Sequence, residues 1–145
     1  MPASKASAPV LIEWDSQAFG LGIPEMDETH IQFIELLNQL EATVNSEYAG
    51  LFTRLVEHTR SHFEEEEARM LECSFPAITE HSSEHQRVLG ELTQIKKQVD
   101  KGLISFGRMY VREGLPGWFR LHAATMGSAL AAHWKHHASL REPGA

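Results

Sequence analysis

Six residues of this chain, His30, His62, Glu66, His81, His85 and His122, carry the imidazole and carboxylate groups that ligate transition metals. Nine histidines occur in 145 residues, but their spacing says more than their number. His62 and Glu66 stand four apart, as do His81 and His85. On a helix such a pair projects from a single face. Two chelating pairs on facing helices would gather a polynuclear metal site inside a bundle.

The elements that must position these residues read as helices. Phe33, Ile34, Leu37 and Leu40 follow His30 at helical spacing, and Leu51, Leu55, His62, Glu66 and Met70 form a second stripe. Ile78, His81, His85, Val88, Leu92, Ile95 and Val99 make a third, and His122, Met126, Ala129 and His133 a fourth. In each stripe histidine takes an inward position. No stretch alternates in the manner of a strand bounded by turn residues.

Terminus signals divide the chain in the same places. Asp27 is placed to cap the first helix, with Glu28 in its first turn, and Asn45 or Ser46 to cap the second. Ser74 and Pro76 suit the start of the third, and Gly102 its end, behind Lys96, Lys97 and Lys101. With short connections, successive helices are antiparallel neighbours. The expected architecture is all-α: a left-handed, up-down-up-down four-helix bundle with an N-terminal extended arm, one domain over residues 1–145 with its core at about 11–139.

Composition narrows the function. One core is expected at this length. A formal charge of -7 with dispersed basic residues argues against nucleic acid and against acidic substrates. MPASKASAPV lacks a secretory apolar core, and no apolar run approaches the roughly 20 residues that span a bilayer. The expected location is cytoplasmic, without a membrane partner. Cys73 is the only cysteine, which excludes an intramolecular disulfide, and reads as a buried thiol.

Ordered motifs on all four helices resemble the bacterial hemerythrins and their hemerythrin-like (HHE-type) relatives, from about Leu11 to His133. A segment with Trp14 and Gly20 leads into Met26-Asp27-Glu28-Thr29-His30, with Thr29 where the family usually has glutamine. His62-Phe63 with Glu66, Glu67 and Met70 is similar to the second-helix signature. Ser74-Phe75-Pro76 with His81 and His85 is similar to the third, and Trp118 with His122 to the fourth.

The resemblance implies a non-haem di-iron centre that binds dioxygen at one iron. His81, His85 and His122 would hold one iron, His30 and His62 the other, and Glu66 would bridge them. It also exposes a departure. The family places a second bridging carboxylate, an aspartate, five residues beyond the fourth-helix histidine, where this chain has Gly127. No acidic residue occurs between Gly114 and Arg141 to replace it. Water, hydroxide, an external ligand or another side chain would fill the vacated coordination, and glycine leaves room for a water or small anion.

The remaining features have plainer readings. Gly114-Leu115-Pro116-Gly117 predicts a kink or break in the fourth helix, with Pro116 starting a shorter helix. His58, one turn before His62, reads as a packed imidazole that a displaced metal could recruit. His133, His136 and His137 read as a polar helix end, Trp118 as core packing beside the site, and Glu64 and Glu67 as a solvated face. Three functions stay open. The first is a di-iron protein binding dioxygen or nitric oxide for storage, delivery or sensing. The second is a di-iron enzyme acting on peroxide or nitric oxide, and the third an altered-metal or mononuclear protein without reversible oxygen binding. No positioned general acid or nucleophile beyond the ligands speaks for catalysis.

Overall fold

The computed structural model describes residues 10–141, so the first nine residues of the leader reading lie outside it. The described residues are helical, without a strand. The elements are α1 (Ser16–Phe19), α2 (Pro24–Ala42), α3 (Asn45–Glu72), α4 (Ile78–Asp100), α5 (Ile104–Met109), α6 (Leu115–His122) and α7 (Ser128–Arg141). π-helical turns at Tyr110–Gly114 and Ala123–Gly127 join α5 to α6 and α6 to α7, so Ile104 to Arg141 is helical throughout. With α2, α3 and α4 it forms a four-helix bundle.

The N-terminal arm is extended only in part, because Asp15 caps the short α1 by accepting a hydrogen bond from the Gln17 N–H. Asn38 pins the arm from α2: its Oδ1 accepts from the Leu11 N–H at 2.9 Å and its Nδ2 donates to the Ile12 carbonyl at 2.9 Å. Ile12 and Phe19 are thereby buried.

Three expected caps fall elsewhere. Asp27 does not cap α2, which starts earlier at Pro24, a residue preorganised for a first turn. Its carboxylate accepts from the Leu21 N–H at 2.8 Å instead, tying the arm to the positive end of the helix. Neither Asn45 nor Ser46 caps α3, since Val44 is the N-cap residue; Asn45 Oδ1 accepts from the Arg108 guanidinium. Ser74 ends α3 rather than starting α4. It adopts φ 52°, and the Phe75 N–H bonds the Met70 carbonyl at 2.9 Å, closing α3 from one residue beyond. Gly102, at φ 93°, closes α4 as expected, with its own N–H on the Val99 carbonyl and that of Leu103 on Gln98.

The break expected before Trp118 is a widened turn instead. The Leu115 N–H reaches back five residues to the Tyr110 carbonyl, and Pro116, which has no N–H to give, sits in the first turn of α6. The second widened turn shifts the inward stripe by one. Gly127, Leu130 and Ala131 are buried, whereas Met126 is half-buried and Ala129 exposed.

The core has two apolar clusters. Phe33, Leu37, Phe52, Phe63, Val88, Leu92 and Phe119 belong to the larger, and Met26, Met70, Phe75 and Leu130 to the smaller. Along α2 the order is Met26, His30, Phe33; along α3 it is Phe63, Glu66, Met70. The polar layer therefore lies between two apolar ones.

Candidate metal centre

Each helix of the bundle contributes to that layer. His30 comes from α2, His62 and Glu66 from α3, His81 and His85 from α4, and His122 from the end of α6. All six are at most 4% exposed. A buried polar group without partners costs a few kcal/mol, so six in one layer need a common reason.

Glu66 supplies it by dividing its two oxygens. Oε1 lies 3.1 Å from His81 Nε2, 3.1 Å from His85 Nε2 and 3.9 Å from His122 Nε2. Oε2 lies 2.7 Å from His62 Nε2 and 3.4 Å from His30 Nε2. Two groups result, Glu66 with His81, His85 and His122, and Glu66 with His30 and His62, each with ligand atoms within 4.8 Å of one another.

Burial sets the charge state. It pushes His62 down to about 4 and lowers His122 below its ordinary value, against the attraction of Glu66. Burial alone would raise Glu66, but the charge of His62 when its ring is protonated and hydrogen bonds with His30 and His62 hold it well below the usual carboxylate range. Imidazole nitrogens gathered around a buried carboxylate are a donor set suited to a cation.

The hydrogen positions fit a cation too. His85 Nδ1 lies 3.2 Å from Glu67 Oε2, an acceptor, so Nδ1 carries the ring hydrogen. In the neutral ring Nε2 then holds a lone pair, aimed at the Glu66 oxygen 3.1 Å away. A second ring proton or a metal ion relieves the His85 contact. His30 and His62 bring their Nε2 atoms to 3.1 Å beside it, donor and acceptor being set by the tautomer.

Aromatic rings hold the imidazoles. Phe63 stacks on His85 with centroids 3.8 Å apart and planes 4° off parallel, and Trp118 stacks on His122 at 4.7 Å. Phe119 meets His30 edge-on at 5.2 Å. Trp118 thus packs beside the site, and its Nε1–H also donates to Glu84 at 2.8 Å.

Gly127 faces the same layer. In a regular helix a residue five beyond His122 points elsewhere, but the widened turn at Ala123–Gly127 adds one residue to the circuit. A Cβ there would lie 3.7 Å from Leu21 Cδ1 and 4.0 Å from His30 Cε1. The position expected to hold the second carboxylate is therefore aimed at the two-histidine group.

Two of the other histidines have structural partners, whereas His137 Nε2 is buried without one. Half-buried His58 is bonded through Nε2 to the Thr29 carbonyl at 3.1 Å and joins neither group. Burial lowers its pKa. His133 Nε2 reaches the Cys73 carbonyl at 2.9 Å, tying α7 to the end of α3, and Cys73 itself is buried. Glu67 is the residue sequence reading missed. The run of glutamates predicts a solvated side chain, yet Glu67 repeats with Phe63 the four-residue spacing of His62 and Glu66, one position along.

A helical bundle enclosing imidazoles around one carboxylate defines a metal-binding protein. The sequence profile of the Hemerythrin HHE cation binding domain matches residues 21–142, and the chain belongs to the hemerythrin family. It is 33% identical over 116 residues to a bacteriohemerythrin of Ralstonia nicotianae, covering 80% of this chain and 83% of the relative. Over 95 residues it is 26% identical to myohemerythrin-1 of Phascolopsis gouldii, covering 66% of this chain and 77% of that one. Crystal structures of hemerythrin variants bearing a leucine-to-alanine or a leucine-to-phenylalanine substitution superpose with a TM-score of 0.80. They cover 87% of this chain and 98% of their own, at 21% and 22% identity, and speak for the fold.

Proposed function

We propose that this protein is a two-metal, non-haem iron protein that binds dioxygen or nitric oxide for storage, delivery or sensing. The observation that carries the reading is the division of Glu66, one oxygen toward three imidazoles and the other toward two. His81, His85 and His122 would hold one iron, His30 and His62 the second, and Glu66 would be shared between them. Iron bound there supplies the affinity for the diatomic gas. The chain keeps water away with the apolar clusters on both sides, and fixes the imidazoles by stacking. No helix among the described residues is long and apolar enough to cross a membrane, in keeping with a cytoplasmic location.

Gly127 would make the two halves unequal, because among the described residues no second carboxylate would join Glu66 at the two-histidine iron. Reconstituted protein titrated with a chelator should give up that iron first and retain the one at His81, His85 and His122. Simultaneous loss of equal ions overturns the inequality. Gly127→Asp should tighten the weaker half, and no gain in retention removes glycine as its cause. Stopped-flow mixing of the ferrous protein with dioxygen should give a short-lived optical change, and nitric oxide a second one. No change with either gas overturns the gas-binding role. The inequality also favours one alternative, a mononuclear site at the three-histidine half alone, which metal analysis of the purified protein decides by one ion per chain against two.

A further inference from the structure

We infer that Glu67 is a positioning residue for the three-histidine half: it fixes the ring of His85 with its hydrogen on Nδ1 and its lone pair on Nε2, toward the metal. The inference rests on the ligand reading above. Four of the five imidazoles in the layer, His30, His62, His81 and His122, have a buried Nδ1 with no hydrogen-bond partner. His85 alone has one, the Glu67 carboxylate 3.2 Å from Nδ1. An ionised carboxylate only accepts, so the bond selects one tautomer, and that tautomer offers Nε2 to a cation. A carboxylate behind an imidazole also makes it a stronger donor.

The local helix geometry explains why this imidazole is singled out. α3 carries two pairs at four-residue spacing, offset by one position. His62 and Glu66 face the layer, while Phe63 and Glu67 turn toward α4. Phe63 lies flat on the His85 ring and Glu67 bonds its edge, so one helix clamps a ligand borne by the next. The Glu67 side chain is 37% exposed, and the clamp reaches solvent while His85 does not.

Two measurements on the full chain test this. In metal-free protein labelled with nitrogen-15, His85 should show Nδ1–H, and Glu67→Ala should move the hydrogen toward Nε2, where Glu66 Oε1 can accept it. An unchanged His85 tautomer overturns the inference. In cobalt(II) titrations, Glu67→Ala should weaken the tighter binding step by about 10–100-fold and leave the weaker step in place. Glu67→Gln, whose amide oxygen still accepts the Nδ1–H, should recover most of the loss. Equal weakening of both steps, or no weakening, overturns it. Should the wild type bind no cobalt, the ligand reading itself fails. The metal-directed role of Glu67 fails with it, and the nitrogen-15 spectrum then shows separately whether Glu67 fixes the His85 tautomer, with Nδ1–H for that contact and Nε2–H against it.

Discussion

Helices α3 and α4 differ sharply from the helical run that closes the bundle. The first two are regular over 28 and 23 residues and each delivers its site residues as a pair four apart. The run from Ile104 to Arg141 is widened twice, and delivers one imidazole and a glycine. Regular helices fix side chains by spacing alone. A widened helix fixes them by where the extra residue falls, and only packing against its neighbours decides that.

The comparison breaks most severely at Glu66, the residue both halves share. Glu66→Gln should weaken both metal-binding steps by more than the roughly 10–100-fold typical of a supporting residue, since among the described residues no other carboxylate belongs to either ligand group. Isothermal titration with cobalt(II) reads this; retention of either step at wild-type strength would falsify the shared role.

Acid should act next, through the regular α3. His62 is held down to about 4 by burial from an ordinary 6.5, so the unfolded chain takes up a proton that the folded chain refuses. Stability is full above about pH 6.5 and is lost as pH falls toward 4, by about 3 kcal/mol for this one group. Glu66, held below its usual range, adds a loss beginning near pH 4.5. Urea melts of metal-free protein at pH 7, 5.5 and 4.5 check the slope, and a flat profile contradicts the burial argument.

Two glycines sharpen the view of the widened helix, because they differ in room. A Cβ on Gly107 would come within 2.7 Å of the Tyr48 ring and 2.8 Å of Val99 Cγ2, both buried. Gly107→Ala should destabilise the protein by about 1–3 kcal/mol, measured by thermal melting. At Gly127 the nearest contacts are ordinary, and Ala has the better helix propensity, so Gly127→Ala should change stability by less than about 1 kcal/mol. A large loss there would show that glycine serves the turn rather than merely lacking a ligand.

The same contrast decides what was legible in the sequence. Apolar periodicity and the paired spacing suffice for α3 and α4, and all six expected residues converge. Extrapolating that periodicity past His122 misassigned Met126 and Ala129 as inward, because one extra residue in the turn carries no compositional mark. Pro116 read as a break since its missing N–H is visible in sequence, whereas the compensating bond from Leu115 to Tyr110 is not. The caps at Asp27, Asn45 and Ser74 were misplaced for a related reason. Asp27 and Asn45 serve contacts between elements, which local preference does not encode, and Ser74 closes α3 through a positive φ that a serine does not announce. Glu67 escaped because a carboxylate beside three others on a helix resembles a solvated run until the facing helix is in place.

The stacking of Trp118 on His122 gives the protein its own reporter. An indole in contact with a ligand of a paramagnetic or light-absorbing ion loses its excited state by electron or energy transfer, so its fluorescence should be quenched when the three-histidine half fills. Trp14 packs with the arm on Phe19 and Trp134 lies under the Arg69 guanidinium, both apart from that ring. Trp118→Phe should therefore remove the largest metal-sensitive part of the emission and leave a weaker response from the other two indoles.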